Sequence, residues 1–308
     1  MALHVIVGKG PVGTTTAELL AERGHEVRVL SRSGGTSTDS IEHRAVDAAD
    51  ADALAAAAQG AAALYNAVNP AYHRWATDWP PVASALLAAA ERTGAVLVTM
   101  GNLYGYGRPS GPMTQDSPLA ATDTKGRVRA RMWADALAAA EAGRARVTEA
   151  RAADFVGPQA PADHSHLMRQ LPALRRGRRA WVVGDPDVQR GWSYLPDVAA
   201  TLAVLGSDER ALGRAWHVPS NVRSQRQALT DLARALGAPA ARVGAMPWPV
   251  LRAAGVAMPS LREVVDVRHQ FDQDFVIDAT ATTETFGLTA TPWDEVVAAS
   301  VAASPATA

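Results

Sequence analysis

The sequence of 308 residues contains no cysteine. This absence excludes disulfide bonds, thiolate metal ligands and cysteine nucleophiles, and it fits a cytoplasmic protein. The formal net charge of −1 provides no bulk field that would attract nucleic acid or an anionic membrane. The alanine-rich stretches are interrupted by charges and fall short of the roughly 20 apolar residues of a membrane span. We therefore expect a cytoplasmic protein that binds neither nucleic acid nor membranes.

Lysine is also scarce, since Lys9 and Lys125 are the only two lysines among 30 lysine and arginine residues. Arginine is the cation at every other position. Either these two positions require a lysine for a chemical reason or they arose by chance, and composition leaves both interpretations open.

Short apolar runs alternate with segments of helical length over the first half of the chain. Strands are predicted at residues 3–7, 26–30, 63–68, 95–100 and 146–150, and helices at 14–23, 50–59, 81–92 and 125–142. This alternation predicts right-handed βαβ units, and hence an α/β fold with a doubly wound parallel sheet of the Rossmann type.

The regular alternation of strands and helices ends after residue 155. Prolines, short helices and isolated strands at 180–183 and 215–218 there predict a smaller lobe. We divide the chain into a Rossmann core at 1–155, to which later segments return, a lobe at 156–301 and a disordered tail at 302–308.

A glycine-rich turn follows the first predicted strand, with Gly8, Gly10 and Gly13 in a Gly-x-Gly-x-x-Gly pattern and Pro11 and Val12 between the last two. The first glycine permits a tight turn, the second lets the backbone approach a pyrophosphate, and the third allows close packing of helix on strand. Because a strand precedes the pattern and a helix follows it, we predict a dinucleotide site. The alternative is a plain tight turn.

The residues at the end of the second strand indicate which dinucleotide the site binds. A site for NAD usually places an acid there to accept the ribose 2′-hydroxyl, but this strand ends in Ser31, Arg32 and Ser33. A guanidinium beside hydroxyls suits a 2′-phosphate, so we predict NADP(H). Arg32 as a solvated surface residue is the alternative. Asp47 is a candidate acceptor for the adenine amino group.

Several segments together resemble the extended branch of the short-chain dehydrogenase/reductase superfamily, the NAD(P)-dependent epimerases and dehydratases. They are residues 5–13 at the cofactor turn, 66–70 after the fourth strand, Thr-Met-Gly-Asn-Leu-Tyr-Gly at 99–105, Arg-Ala-Ala-Asp-Phe-Val-Gly-Pro at 151–158, the Gly-Asp to Asp-Val-Ala segment at 184–199, and 275–278 with 286–288 and 291–292. The resemblance implies that Ala67 lies beside the cofactor, and that two helices, at 81–92 and 125–142, mediate a homodimer.

The family's chemistry uses a Tyr-x-x-x-Lys pair and a serine or threonine. Lys125 matches the lysine, which the resemblance assigns to the nicotinamide ribose, but Ala121 stands where the tyrosine is expected. Met100 aligns with the hydroxyl residue, and its neighbour Thr99 carries a hydroxyl. The tyrosine and the hydroxyl residue are therefore missing. If Lys125 binds the ribose and is not a surface charge, cofactor placement is kept while proton transfer is reassigned to another residue.

Two tyrosines just beyond a strand end, Tyr104 and Tyr106, are candidate replacements, since ligands of α/β sheets bind at that edge. A structural role is the alternative for each. Asn102 offers an amide to a substrate or caps its own turn.

On the substrate side, Arg190 aligns with an arginine that contacts a diphosphate in nucleotide-sugar members, and Asp154 and Trp192 are expected near the pocket with Met100 and Asn102. No metal site is expected, because His164 and His166 lack a third ligand. We expect an NADP(H)-dependent oxidoreductase or epimerase acting on a small metabolite. The alternative is a cofactor-binding protein without redox turnover, either a redox-sensing regulator or a non-redox enzyme.

Overall fold

The computed structural model describes residues 1–303, without the side chains of residues 257 and 259–261. In chain order the strands are β1 (Leu3–Val7), β2 (Glu26–Ser31), β3 (Ile41–Ala45), β4 (Ala63–Asn66), β5 (Val96–Asn102), β6 (Val147–Ala152), β7 (Asp154–Val156), β8 (Ala180–Val183), β9 (Gln189–Tyr194), β10 (Ala215–His217), β11 (Asn221–Ser224) and β12 (Val243–Met246).

The helices in the same part of the chain are α1 (Pro11–Glu22), α2 (Ala51–Ala57), α3 (Trp75–Thr93), α4 (Thr124–Glu141), α5 (Leu171–Arg175), α6 (Leu195–Leu205), α7 (Gln225–Ala235), α8 (Trp248–Ala257), α9 (Pro259–Asp266), α10 (His269–Asp272), α11 (Thr280–Phe286) and α12 (Trp293–Ala302). None of them, within residues 1–303, combines the length and apolar character needed to cross a membrane.

Seven parallel strands form the central sheet in the order β10-β6-β5-β4-β1-β2-β3. Because successive side chains of a strand point to opposite faces, β1 supplies both cores. Ile6 lies in a buried cluster with Leu20 of α1 and Val198 of α6, and Val5 lies in another with Leu86 of α3. Helices cover both faces, which confirms the predicted doubly wound Rossmann-type fold.

The smaller sheets hold the remaining strands. β9 lies between β11 and β7, and β12 pairs in parallel with β8. The segment at 215–218, predicted for the smaller lobe, instead supplies β10, which pairs with β6 at the edge of the large sheet. The chain thus returns to the core after leaving it. The predicted disordered tail at 302–308 begins at the last residue of α12, and residues 304–308 lie outside the described residues.

Helix α3 begins at Trp75, six residues before the predicted start at residue 81, so that Pro80 and Pro81 lie inside it. Each proline removes one helical hydrogen bond. The extra turn is held by Trp75 and Trp79, which lie one turn apart and are 4% and 0% exposed. Burial of two indole rings offsets the missing bonds, and it fixes the segment that follows β4.

Candidate functional site

The glycine turn lies where β1 meets α1. Gly8 has a φ of 114°, and a Cβ there would approach the Ala67 carbonyl oxygen to 2.5 Å. A Cβ at Gly13 would collide with the Gly8 carbonyl oxygen, whereas one at Gly10 would meet no atom within 4 Å. Two glycines are therefore required by packing on the β4 end and on the turn itself. The third leaves free space in front of the helix, which is the cradle a pyrophosphate needs.

The first turn of α1 faces this space. Gly10 is the N-cap and makes no side-chain capping bond, and Pro11 occupies the first turn, where it costs no hydrogen bond. The early N–H groups of a helix, including that of Val12, lack partners within the helix and form the positive end of its dipole. An anion bound here would satisfy them.

The loop after β2 is tied to the glycine turn. The Lys9 ammonium donates to the Gly34 carbonyl at 2.8 Å, and the Ser31 hydroxyl donates to the same oxygen at 3.1 Å. Arg32 is exposed beside this turn, and no described residue forms a hydrogen bond or ion pair with its guanidinium. Asp47 is exposed, and one of its oxygens accepts the Ala49 N–H at 3.0 Å. The cofactor contacts of Ser31, Arg32 and Asp47 remain predictions.

Helix α4 carries Lys125 in its first turn. Asp123 is the N-cap and accepts the Gly126 N–H at 2.8 Å. Ala121 precedes this cap, and its N–H donates to the Gly105 carbonyl at 3.1 Å. A tyrosine at position 121 would therefore not share a helical face with Lys125. The geometry of a one-turn pair ending at Lys125 is absent from this helix.

The Lys125 ammonium is enclosed by protein. The residue is 4% exposed, and its Nζ donates to the Tyr72 carbonyl at 2.6 Å and lies 2.7 Å from Glu263 Oε2. The same nitrogen lies 4.0 Å from the centroid of the Tyr72 ring. A buried ammonium pays a large desolvation cost unless a charge and hydrogen bonds compensate it. The turn after β4 and helix α9 of the smaller lobe supply that compensation.

Tyr104 belongs to the same surroundings, which we call the Lys125 cluster: Tyr72, Trp75, Tyr104, Lys125, Arg129 and Glu263. The Tyr72 hydroxyl donates to the Tyr104 hydroxyl at 3.3 Å. Burial raises the pKa of both phenols, so both stay protonated at neutral pH. Tyr72 therefore contacts both Tyr104 and Lys125. The role of Tyr104 as proton donor remains a prediction.

Tyr106 lies away from this cluster, in a buried polar network, and is 3% exposed. Its hydroxyl lies 2.6 Å from His217 Nε2 and accepts an Arg151 N–H at 2.7 Å. Arg151 is paired with Glu149 at 2.6 Å. Burial lowers the pKa of His217 to about 4, so the imidazole is neutral and its Nε2 can accept a hydrogen bond from the Tyr106 hydroxyl. This placement argues for the structural alternative at Tyr106.

The end of β5 holds the residues expected near the substrate oxygen. Thr99 is half-buried. Met100 is buried, and its carbonyl accepts an Arg129 N–H at 3.3 Å. The Asn102 side-chain oxygen accepts the Tyr104 N–H at 3.1 Å, so the amide caps its own turn, as the structural alternative predicts.

Arg190 and Asp154 form an ion pair, and the Arg190 guanidinium also donates to the Gln270 carbonyl. Burial opposes ionisation of Asp154, but Arg190 nevertheless holds the pKa of that carboxyl below its usual value. A diphosphate could bind Arg190 only in competition with Asp154. Trp192 is 0% exposed, and its indole N–H donates to the Arg223 carbonyl at 3.0 Å, so it packs in the core and offers no surface to a substrate.

Four residues of the Lys125 cluster were not predicted from the sequence. Trp75 lies before the predicted start of α3 at residue 81. Tyr72 follows the strand that ends before Asn69 and Pro70, so its position at the carboxyl edge of the sheet could have been noticed. Arg129 lies four residues after Lys125, which is one helical turn. Glu263 carries no local signal, because it reaches the cluster from a distant helix. Among the described residues, no group of three or more His, Cys, Asp or Glu side chains could hold a metal ion.

A parallel sheet with a glycine turn between its first strand and first helix defines a Rossmann-type α/β protein. The sequence model of the NAD dependent epimerase/dehydratase family matches residues 5–218. The chain belongs to that family. This confirms the resemblance drawn from the motifs. No curated protein matches the chain.

Solved structures with the same fold cover nearly the whole chain. UDP-glucose 4-epimerase from Thermotoga maritima, solved with UDP-glucose, has a TM-score of 0.80 at 15% identity, covering 98% of each chain. dTDP-glucose 4,6-dehydratase from Bacillus anthracis, solved with NAD, has 0.78 at 14%, covering 98% of this chain and 96% of that one. The Bordetella bronchiseptica enzyme WbmH, solved with NAD+, has 0.74 at 20%, covering 98% of each.

Proposed function

We propose that the protein is an NADP(H)-dependent oxidoreductase or epimerase acting on a small metabolite. The observation that carries the proposal is the glycine turn, where packing requires Gly8 and Gly13 while Gly10 leaves open space before the α1 N-terminus. When bound, a nicotinamide exchanges hydride with a carbon that bears oxygen. Membership of the epimerase/dehydratase family supports the same class of chemistry.

The preference for NADP(H) rests on the end of β2. No acid stands there to accept a ribose 2′-hydroxyl, and the exposed Arg32 has no partner among the described residues. A free guanidinium beside the Ser31 and Ser33 hydroxyls suits a 2′-phosphate. Two of the similar structures contain NAD, so the preference is a property proposed for this chain from its own residues.

The substrate proposed is a compound with a carbonyl or hydroxyl group. The similar structures include enzymes of UDP-glucose and dTDP-glucose. In this chain the arginine aligned with a diphosphate contact, Arg190, is paired with Asp154. This pairing favours a smaller ligand over a nucleotide sugar, unless the ligand displaces the carboxylate.

A cofactor-binding protein without redox turnover is the second candidate. It is favoured by Ala121 and Met100, which carry no acid/base or hydroxyl group, and by the enclosed Lys125 ammonium. The two candidates share the cofactor site and differ in what happens after binding.

Binding and turnover are measured separately. Fluorescence titration gives the Kd of NADPH and NADH for the wild type and for Arg32→Glu. The charge reversal should weaken NADPH binding by about tenfold or more and change NADH binding little. Arg23→Glu, at the opposite end of α1, is the matched control and should change neither. Tighter binding of NADH than NADPH by the wild type would refute the role of Arg32.

Single-turnover absorbance of bound NADPH then decides between the two candidates. The panel contains carbonyl compounds, imines and nucleotide sugars. Loss of the reduced-nicotinamide band with one member supports the oxidoreductase. Conversion of a compound without transient or net loss of that band supports the non-redox alternative.

A further inference from the structure

Helix α4 presents two cations one turn apart on the face that meets α3. The Lys125 ammonium lies 5.4 Å from the Trp75 ring, and the Arg129 guanidinium lies 4.7 Å from it. Residues four apart are neighbours on a helix. The one-turn pair at the start of α4 is therefore Lys125 with Arg129, since Ala121 lies before the Asp123 cap.

Arg129 also contacts the strand end at which the family places its serine or threonine. One of its N–H groups donates to the Met100 carbonyl at 3.3 Å, and Met100 is the residue aligned with that hydroxyl. The residue that reaches the end of β5 from the second turn of α4 is thus Arg129. Lys125, one turn earlier, takes the first position of the pair.

We propose that Lys125 occupies the place of the missing tyrosine and that Arg129 occupies the place of the lysine, so that the Tyr-x-x-x-Lys pair is replaced by Lys-x-x-x-Arg. The proposal rests on the proposed function, because it assigns the proton donor and the ribose contact of the same site. It differs from the motif alignment, which gives the ribose to Lys125.

The surroundings of Arg129 suit a fixed cation that has hydrogen-bond donors to spare. Its guanidinium lies 4.7 Å from the centroid of the Trp75 ring and 4.3 Å from that of the Trp79 ring. Its Nε is buried and has no hydrogen-bond partner among the described residues. An unsatisfied buried donor costs free energy, and ribose hydroxyls are acceptors that would remove this cost. Burial lowers the pKa of Arg129 to about 10, so it remains charged at neutral pH.

Lys125 has the chemistry of a proton donor. An Nζ–H bond breaks, an O–H bond forms on the substrate oxygen, and Lys125 is left as the neutral amine. The amine regains a proton from water beside Glu263, whose side chain is 23% exposed. The reverse reaction uses the neutral amine as the base. A substrate that reaches Nζ shares the ammonium with the Glu263 carboxylate or displaces it.

The affinity for the cofactor distinguishes ribose binding by Arg129, as proposed, from ribose binding by Lys125, as the motif alignment implies. The measurement needs no substrate. Arg129→Met should weaken NADPH binding by about tenfold or more, whereas Lys125→Met should change it by less than about threefold while abolishing turnover. Arg131→Met, on the exposed face of the same helix, is the control and should change neither. The opposite pattern, with affinity lost at Lys125 and kept at Arg129, overturns the proposal.

The double variant Lys125→Tyr with Arg129→Lys restores the family's pair in the proposed register. It should keep the NADPH affinity within about threefold of the wild type. If Lys125 held the ribose instead, its removal would weaken binding by about tenfold or more, and that result contradicts the proposal.

A further test needs no substitution of Lys125 or Arg129. Isotope labelling at lysine Cε yields two side-chain signals, because the chain has two lysines, and Lys9→Arg assigns them. Saturation with NADP+ should shift the Lys125 signal, and an unmoved signal contradicts its place at the nicotinamide. A wild type that binds neither NADPH nor NADH overturns the proposed function itself, and this proposal with it.

Discussion

The glycine turn and the Lys125 cluster both lie at the carboxyl edge of the sheet, but they are built in different ways. The turn is local: Gly8, Gly10 and Gly13 act on neighbouring backbone and on Ala67. The cluster is assembled from α3, α4, α9 and the segments that follow β4 and β5, and its charges depend on contacts distant in sequence. A site formed by one continuous segment can be recognised from its sequence motif. In a site formed by distant segments, a substitution in any one of them can change the chemistry.

Acidification should have the largest effect on the free energy of unfolding. His4 and His217 are buried and His166 is half-buried, and desolvation lowers the pKa of each to about 4. Below pH 6.5 these histidines bind protons in the unfolded chain but stay neutral in the folded chain. Their contribution to the free energy of unfolding is therefore complete above this pH and is lost as the pH drops toward 4. The loss is at most about 1.4 kcal/mol per pH unit for each histidine.

Urea unfolding between pH 7 and 5 measures this slope while most carboxylates remain ionised. His4 lies in β1, His217 is the last residue of β10, and His166 packs against Phe271 of α10. His217→Gln should flatten the slope, whatever its own cost in stability. A free energy of unfolding that does not change over this range would contradict the neutral state of these histidines in the folded protein.

Replacement of Gly13 tests the local site. Gly13→Ala places a Cβ against the Gly8 carbonyl oxygen, and since backbone must move, the free energy of unfolding should fall by about 3 kcal/mol. NADPH binding should also be lost. Gly10→Ala meets no atom within 4 Å, so it should keep the stability of the wild type while weakening cofactor binding. Equal stability loss in both variants would contradict the packing described for the turn.

Removal of the Tyr106 hydroxyl should have a smaller effect, of about 1–3 kcal/mol. Tyr106→Phe leaves Arg151 and His217 each without one buried partner, so the midpoint of chemical unfolding should fall. NADPH affinity should not change. Tyr104→Phe is the matched control, since it loses one bond of 3.3 Å to Tyr72 and should cost less. A large loss of NADPH affinity in Tyr106→Phe with unchanged stability would indicate that Tyr106 has a role in the functional site.

The fold was predictable from the sequence because its signals are local. The strand at Leu3–Val7 has the predicted bounds, and the predicted helix at 125–142 is displaced by one residue in α4. The start of α3 was not predictable from its prolines, because burial of Trp75 and Trp79 outweighs two lost hydrogen bonds. The position of β10 in the large sheet is likewise decided by pairing with a distant strand.

The candidate site was predictable to a lesser extent. The motif locates the glycine turn, but the sequence gives no indication that Glu263 reaches Lys125 or that Asp154 neutralises Arg190. Motif spacing also left open where α4 begins. The N-cap at Asp123 answers this question and changes which residues form the one-turn pair.

We propose above that this chain binds NADP(H) at the glycine turn. Direct titration of the wild-type protein with NADPH and with NADH tests it most simply. We expect saturable binding of both, with NADPH bound tighter by about tenfold or more, as one guanidinium–phosphate contact provides. Absence of binding, or a preference for NADH, would contradict it.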